Sequence, residues 1–387
     1  MFASEFGLDE SLTYLNHAAV APWPRRTADA VRAFAQENAV TGARDYARWV
    51  ETEQALRGEL ARLINASSAS EIALLKNTSE ALSVVACGLA WMPGDNVVIT
   101  DQEFPSNRIV WESLAKYGVE TRAAVLAGEP PPEDAILSRI DEHTRLVSVS
   151  SVQYATGLRL DLEHLGAACR KRGILFCVDA IQSLGAVDLD VQACGADFVM
   201  ADGHKWMLGP EGLALFYCRA GAMDRLELQQ YGWHMVEEHG NYDSPAWRPA
   251  SSARRFECGS PNMLGIHALH ASLSLLLEIG MRAIEKQVTE NSRYLIDHLT
   301  ACKDAYRLIT PAEPHRHAGI VTFQPLREPV GELYERLRTA NVVCALRGGG
   351  IRFSPHFHTP RDQLERALRL LQPRIRSARV LHNKGDS

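Results

Sequence analysis

Between residues 70 and 220, short apolar runs at 72–75, 96–100, 145–152, 174–178, 198–200 and 213–217 alternate with stretches of helical periodicity. The runs are continuously apolar, as in strands buried on both faces, so they predict a mainly parallel sheet covered by helices, an α/β arrangement. Beyond residue 265 the pattern changes. Helical stretches at 267–279 and 283–302 precede a strand-like run at 319–323, a helix near 330–339 and a closing helix at 361–371. This region reads as a small α+β domain over 266–387, following a large domain over 20–265. No fixed-period repeat is present, and Glu129-Pro130-Pro131-Pro132-Glu133 reads as a loop opening a helix.

Composition narrows the function classes. At 387 residues the chain exceeds the roughly 250–300 residues at which single cores stop growing, in keeping with two domains. Its 46% hydrophobic and 23% charged residues are ordinary for a globular protein. A net charge of −6 without any dense Lys/Arg stripe argues against a nucleic-acid partner. The start, MFASEFGLDE, has neither a basic region nor an apolar core, and no run approaches the roughly 18 apolar residues of a span, so a cytoplasmic protein without membrane contact is expected. Eight scattered cysteines without a CxxC pair read as reduced, mostly buried thiols. His356 and His358 have no cysteine nearby, so no structural metal is expected.

In open parallel sheets ligands bind beyond the carboxyl ends of the strands. Each polar motif here follows an apolar run, so the motifs could converge. After 72–75, Asn77-Thr78-Ser79 can cap a helix, and the free N–H groups with two hydroxyls would suit an anion; an ordinary cap explains them equally. After 96–100, Phe104 stands among polar residues, either as a stacking surface for a flat ring or as a core side chain. Asp179 closes the run at 174–178; a carboxylate there needs donors or a cation, supplied by a helix start or by a protonated ring nitrogen.

The strongest element is Ala201-Asp202-Gly203-His204-Lys205-Trp206-Met207-Leu208-Gly209. Lysine is among the least buried residue types, and a surface lysine would leave the three apolar residues after it unexplained. Desolvated, its amine becomes a nucleophile able to form a Schiff base. Finally, Arg352 follows Gly348-Gly349-Gly350, placed either for a structural ion pair or for a two-pronged grip on a carboxylate.

Together and in this order, these residues resemble the fold-type I, pyridoxal-5′-phosphate (PLP) dependent enzymes of the class V aminotransferase and cysteine desulfurase superfamily. That group includes C–S lyases, isopenicillin N epimerase and kynureninase-like enzymes. The similarity runs from Tyr14-Leu15-Asn16-His17-Ala18-Ala19 to Ser354-Pro355-His356, and Asp179-Ala180-Ile181-Gln182 with Gly203-His204-Lys205 is its most specific part. The resemblance implies that Lys205 holds PLP and moves the substrate α-proton after an external aldimine forms. Asp179 would pair with the pyridine nitrogen and Gln182 lie near the ring oxygen. Thr78, Ser79 and His204 match phosphate-binding positions, with Asp202 beside them, and Phe104 matches the ring-stacking position. Ser260 matches a residue that reaches the neighbouring subunit's phosphate, so a homodimer with shared sites follows, and Arg352 matches the arginine for the α-carboxylate. Residues 1–19 would join the small domain, and Gln153 is a further candidate to face the cofactor.

Two departures from the desulfurase pattern bear on the reaction. Desulfurases carry histidine where this chain has Phe104, and they place a nucleophilic cysteine on a small-domain loop that here reads Arg347-Gly348-Gly349-Gly350. Cys344 precedes that loop in an apolar stretch and reads as a buried thiol, since a reactive cysteine is accessible and electropositively placed. The expectation is therefore β-elimination of C–S lyase type on a cysteine-derived amino acid. Transamination is the nearest rival. Desulfuration, epimerisation and a non-catalytic PLP-fold partner protein are further alternatives.

Overall fold

The apolar runs assemble into one seven-stranded sheet. After a two-residue strand β1 (Thr13–Tyr14) come β2 (Ile72–Leu75), β3 (Asn96–Thr100), β4 (Glu120–Ala124), β5 (Thr144–Ser150), β6 (Leu175–Asp179), β7 (Phe198–Asp202) and β8 (Ala214–Cys218). The spatial order is β2-β8-β7-β6-β5-β3-β4, with only β8 running against its neighbours. In this computed structural model residues 2–128 and 130–371 are described. Met1, Glu129 of the proline-rich segment and residues 372–387 of the expected small domain lie outside the described residues.

Period-two alternation sorts the strand residues onto two faces. Leu74, Val98, Val147, Val149, Phe176, Val178, Val199 and Leu215 face one core, shared with helices Tyr46–Leu63, Leu162–Arg172 and Met263–Ile279. Leu75, Val97, Ile99, Leu146, Cys177, Phe198, Met200 and Phe216 face the other, shared with helices Thr78–Gly88 and Ser106–Glu112. Burial on both faces is why these strands lack polar alternation. Strand β4 is absent from the apolar-run reading because it is an edge strand whose Glu120, Thr121, Arg122 and Ala123 retain contact with water.

A second, antiparallel sheet, β12-β13-β10-β9, is built from β9 (Tyr306–Leu308), β10 (Val321–Pro325), β12 (Ala345–Arg347) and β13 (Gly350–Phe353). The intervening strand β11 (Val342–Val343) pairs in parallel with β1 at the other end of the chain. Leu15 completes a third core with Leu295, Phe323, Leu337, Ile351, Phe353 and Leu364. Helix Met263–Ile279 packs into the large core, so the boundary drawn at residue 265 falls within this helix. All eight cysteines are free thiols. No single described helix is long and apolar enough to cross a membrane.

The edge strand β2 is fastened by buried charge. Arg57 donates to Glu257 at 2.5 and 2.8 Å, to Glu53, and to the Ile72 carbonyl, while Glu257 also accepts from the Leu74 amide at 2.8 Å. Glu53, His234 and Glu257 bring potential metal ligands within 4.8 Å of one another, but Arg57 already bonds both carboxylates. Replacing Glu257 by alanine leaves the guanidinium under-compensated and should cost about 3–5 kcal/mol in chemical denaturation. A loss below about 1 kcal/mol, the worth of an exposed pair, would show that this cluster does not secure β2.

Candidate functional site

The loops leaving the carboxyl ends of β2, β3, β5, β6 and β7 gather beside β13. From β3 the chain steps outward to β4, whereas from β5 it steps inward to β6, β7 and β8. In open α/β sheets ligands are bound where the winding direction reverses. Phe104 follows β3 and Gln153 follows β5, so both stand at that point.

Lys205 sits in a turn that its own backbone closes. The Gly203 amide donates to Leu213 O at 2.9 Å and the Gly209 amide to Gly203 O at 2.8 Å. Trp206, Met207 and Leu208 are fully buried beneath it, which accounts for the apolar run after the lysine. The Lys205 Nζ lies 5.8 Å from the centre of the Phe104 ring. That ring is 41% exposed and meets Tyr154 edge-on at 5.1 Å. Burial lowers the Lys205 amine from 10.5 to about 8; Arg352 and Arg347 add to the effect, while Asp179 and Asp202 oppose it.

Asp179 ends β6 with 2% exposure and accepts from the Ile181 amide at 3.0 Å. Burial, with the charge of Glu103, pushes its carboxyl up to about 7. Gln182 is buried close by, donating to Ala18 O at 3.0 Å and accepting from the Trp206 indole at 3.1 Å. Asn77 caps helix Thr78–Gly88 by accepting from the Glu80 amide at 2.9 Å. Thr78 Oγ1 accepts from the Asp202 amide at 3.2 Å, and Ser79 Oγ lies 2.8 Å from Ser106 Oγ. The start of this helix therefore rests over the end of β7. His204 Nδ1 approaches Asp202 Oδ1 to 3.0 Å without the alignment of a hydrogen bond.

Arg352 is 2% exposed and donates to Tyr154 O at 2.8 Å, which ties β13 to the loop after β5. Burial, reinforced by Arg347, brings its guanidinium down to about 10. The glycines before it are a tight turn, not a slack loop. Gly348 and Gly349, at φ of 58° and 75°, make the two-residue connection between β12 and β13. In that hairpin Ala345 faces Arg352 and Arg347 faces Gly350, so the two arginines lie on one face. Cys344 is buried and its thiol is raised to about 12, as expected of an inert cysteine.

The structure thus gathers Lys205, Phe104, Asp179, Gln182, Thr78, Asp202, His204 and Arg352, with Ser79 exposed at the edge. Ser260 is exposed after Gly259 and makes no hydrogen bond among the described residues. Sequence reasoning assigned no role to Glu103, whose buried carboxylate accepts from Thr100 Oγ1, Asn107 Nδ2 and the Ser150 amide at 2.8 to 3.1 Å and from Gln153 Nε2 at 3.2 Å. The sole sequence signal was its place immediately before Phe104. Arg347 was noted only as part of the altered loop.

These residues suit PLP. Asp202 Oδ1, His204 Nδ1, Gln153 Oε1 and Arg352 Nε are buried without hydrogen-bond partners among the described residues, a set that a polar ligand would satisfy. A buried acid, a desolvated amine, an open aromatic face and a helix start answer the ring nitrogen, aldehyde, ring and phosphate of that cofactor.

Residues 13–345 match the family described as Aminotransferase class-V. A probable cysteine desulfurase of Methanothermobacter thermautotrophicus is 38% identical over 284 residues, covering 70% of this chain and 68% of that protein. An uncharacterized aminotransferase of Bacillus subtilis is 30% identical over 326 residues, covering 82% and 83%. The structure of a cystine C–S lyase with its product cysteine persulfide superimposes with a TM-score of 0.87 at 23% identity, covering 94% of this chain and 98% of that one.

Competitive acetylation of the cofactor-free protein, read residue by residue by mass spectrometry, should give Lys205 a midpoint near pH 8. Arg347→Ala removes a cation and should raise that midpoint. A wild-type midpoint equal to that of the exposed lysines would show that the amine is not desolvated.

Proposed function

The chain belongs to the aminotransferase class-V family and is a PLP-dependent enzyme, and from that premise we propose that it cleaves the bond at the β-carbon of a cysteine-derived α-amino acid, releasing a thiol or persulfide. The hairpin carries the reading. A two-residue turn between β12 and β13 holds no cysteine, and Cys344 is a buried thiol raised to about 12, so the chain offers no sulfur acceptor there. Sulfur leaving the substrate then departs as a small molecule.

The cofactor, when bound, supplies an electron-accepting ring that stabilises negative charge at the substrate α-carbon. Lys205 would hold it and, with an amine brought to about 8, would take the proton from that carbon while the sulfur at the β-carbon leaves with its bonding pair. Asp179, buried without another side-chain cation in hydrogen-bond reach among the described residues, would hold the proton on the ring nitrogen, and Gln182 would stand at the ring oxygen. Thr78, Ser79, Asp202 and His204 would surround the phosphate. Phe104 would cover one face of the ring and shield it from water, and as a hydrocarbon ring it has no proton to donate there. Arg352 grips the α-carboxylate through its unused guanidinium edge. The positive charge of Arg347 on the same hairpin face favours departure of an anionic sulfur.

The active unit in this reading is a cytoplasmic homodimer. Ser260 is exposed and free of hydrogen bonds among the described residues, and Tyr231, Tyr242 and Trp247 expose aromatic surface in the preceding segment. Paired sites would give Ser260 the partner's phosphate and cover those rings. Sedimentation equilibrium should return twice the chain mass, and the mass of one chain would remove this part of the reading.

The reaction is tested by incubating PLP-loaded protein with L-cystine, L-cysteine and S-substituted cysteines and scoring pyruvate against alanine. Pyruvate with released thiol or persulfide is expected, and Lys205→Ala should lose both this activity and the visible absorbance of the lysine-bound cofactor. Alanine with sulfide would make the enzyme a desulfurase, and an amino-group exchange without either product would make it a transaminase.

A further inference from the structure

Three histidines that the reaction does not use, His17, His356 and His358, cluster behind the lysine turn. His17 and His356 are completely buried. Each side chain of that pair has both ring nitrogens engaged in a fixed sense. His17 Nδ1 lies 2.9 Å from Ser354 O, a carbonyl, so it donates there; its Nε2 then accepts from His358 Nε2 at 3.3 Å. His356 Nε2 lies 3.0 Å from Trp206 O and donates, while its Nδ1 accepts from the Phe357 amide at 2.8 Å.

These bonds close a circuit between the two halves of the site. Trp206 adjoins Lys205 and bonds Gln182, Gln182 bonds Ala18 O, and the Ala18 amide donates to Ser354 Oγ at 3.1 Å. Ser354 lies two residues beyond Arg352 and His356 four, and His356 returns to the Trp206 carbonyl. The His356 and Trp206 rings also touch, 5.3 Å apart. Resting on the roles given above to Lys205 and Arg352, we infer that His17 and His356 are positioning residues that set the span between the cofactor-bearing lysine and the carboxylate-binding arginine.

The circuit requires neutral rings. A second proton on His17 would point a donor at the donor of His358, and one on His356 would point a donor at the Phe357 amide. Burial holds His17 and His358 well below 6.5 and His356 at about 4. The groups facing the cluster are Asp9, Glu10 and Tyr14 from the N-terminal segment, Asp362 and Arg366 from the closing helix, and Lys205 beside Trp206; Asn291 of helix Met281–Ala301 is uncharged and holds the His356 carbonyl at 2.9 Å. A depressed value means that the neutral circuit is present above pH 6.5 and is lost as the pH falls through about 4.

The test uses PLP-loaded enzyme and two probes that react with bound PLP whatever the natural reaction. Aminooxyacetate carries a carboxylate and O-methylhydroxylamine does not. The ratio of their rates, followed by cofactor absorbance, reports recognition of the carboxylate and cancels the pH dependence of the cofactor. Displacing a group by about 1 Å can cost up to about a hundredfold, so His356→Ala and His17→Ala should each lower the carboxylate preference by about tenfold or more. His356→Gln and His17→Asn, whose amides can replace the donated hydrogen bonds, should retain most of it. In wild type the preference should also decline on acidification from pH 6.5 toward 4, over the range where circular dichroism is unchanged, and it should stay flat in His356→Gln. A preference untouched by the alanine variants, or a wild-type ratio constant with pH, would overturn the proposal. Arg352→Met serves as the reference: if it leaves the preference intact, the fault lies with the role of Arg352 and not with the histidines. Should the histidine variants fail to fold, the wild-type pH dependence still decides.

Discussion

A lysine amine largely withdrawn from water near a fully buried carboxylate is an arrangement that proteins rarely tolerate, and the rest of this structure is organised to hold it. Each ion alone would carry a desolvation cost of several kcal/mol, so both groups move toward neutrality, Lys205 to about 8 and Asp179 to about 7. The shifts survive only if the groups cannot swing out to solvent. Trp206, Met207 and Leu208 anchor the lysine turn from below, and the strand register fixes Asp179 at the end of β6. Gly319 belongs to the same arrangement: a side chain there would come within 2.2 Å of the Trp206 ring, so its lack of one lets the smaller sheet close against the turn.

The second half of the site obeys a different logic. Arg352 carries a charge that stays on, and its burial is compensated by one carbonyl and by whatever anion enters. Its strand owes its position to the chain's first residues as much as to its own sheet, since Asn16 bridges Ser354 and β1 pairs with β11. The N-terminal segment therefore helps set where the carboxylate of a substrate must lie.

What could be read in the sequence divides along the same line. Continuous apolarity revealed six of the seven strands, because burial on both faces is written into the residues themselves. It missed β4, whose Glu120, Thr121, Arg122 and Ala123 stay in contact with water and break the apolar run. Residues with unusual chemistry for their surroundings, above all Lys205 and Asp179, stood out because the chemistry itself is costly to bury. Glu103 escaped notice since its five donors come from Thr100, Asn107, Ser150 and Gln153, a convergence that exists only after β3 and β5 are paired. The glycines 348–350 were legible as a break in the chain but not as a turn of fixed length, which needs both φ values.

The pairing of β1 with β11 bears on how the protein is made. His17 and Ser354 meet across 337 positions of chain, and Leu15 fills a core whose other members nearly all lie beyond residue 294. During synthesis residues 13–17 must wait, unpaired, until β11 and Ser354 have been made. The seven-stranded sheet can form before those residues exist, whereas the carboxylate-binding half of the site cannot be completed until they do.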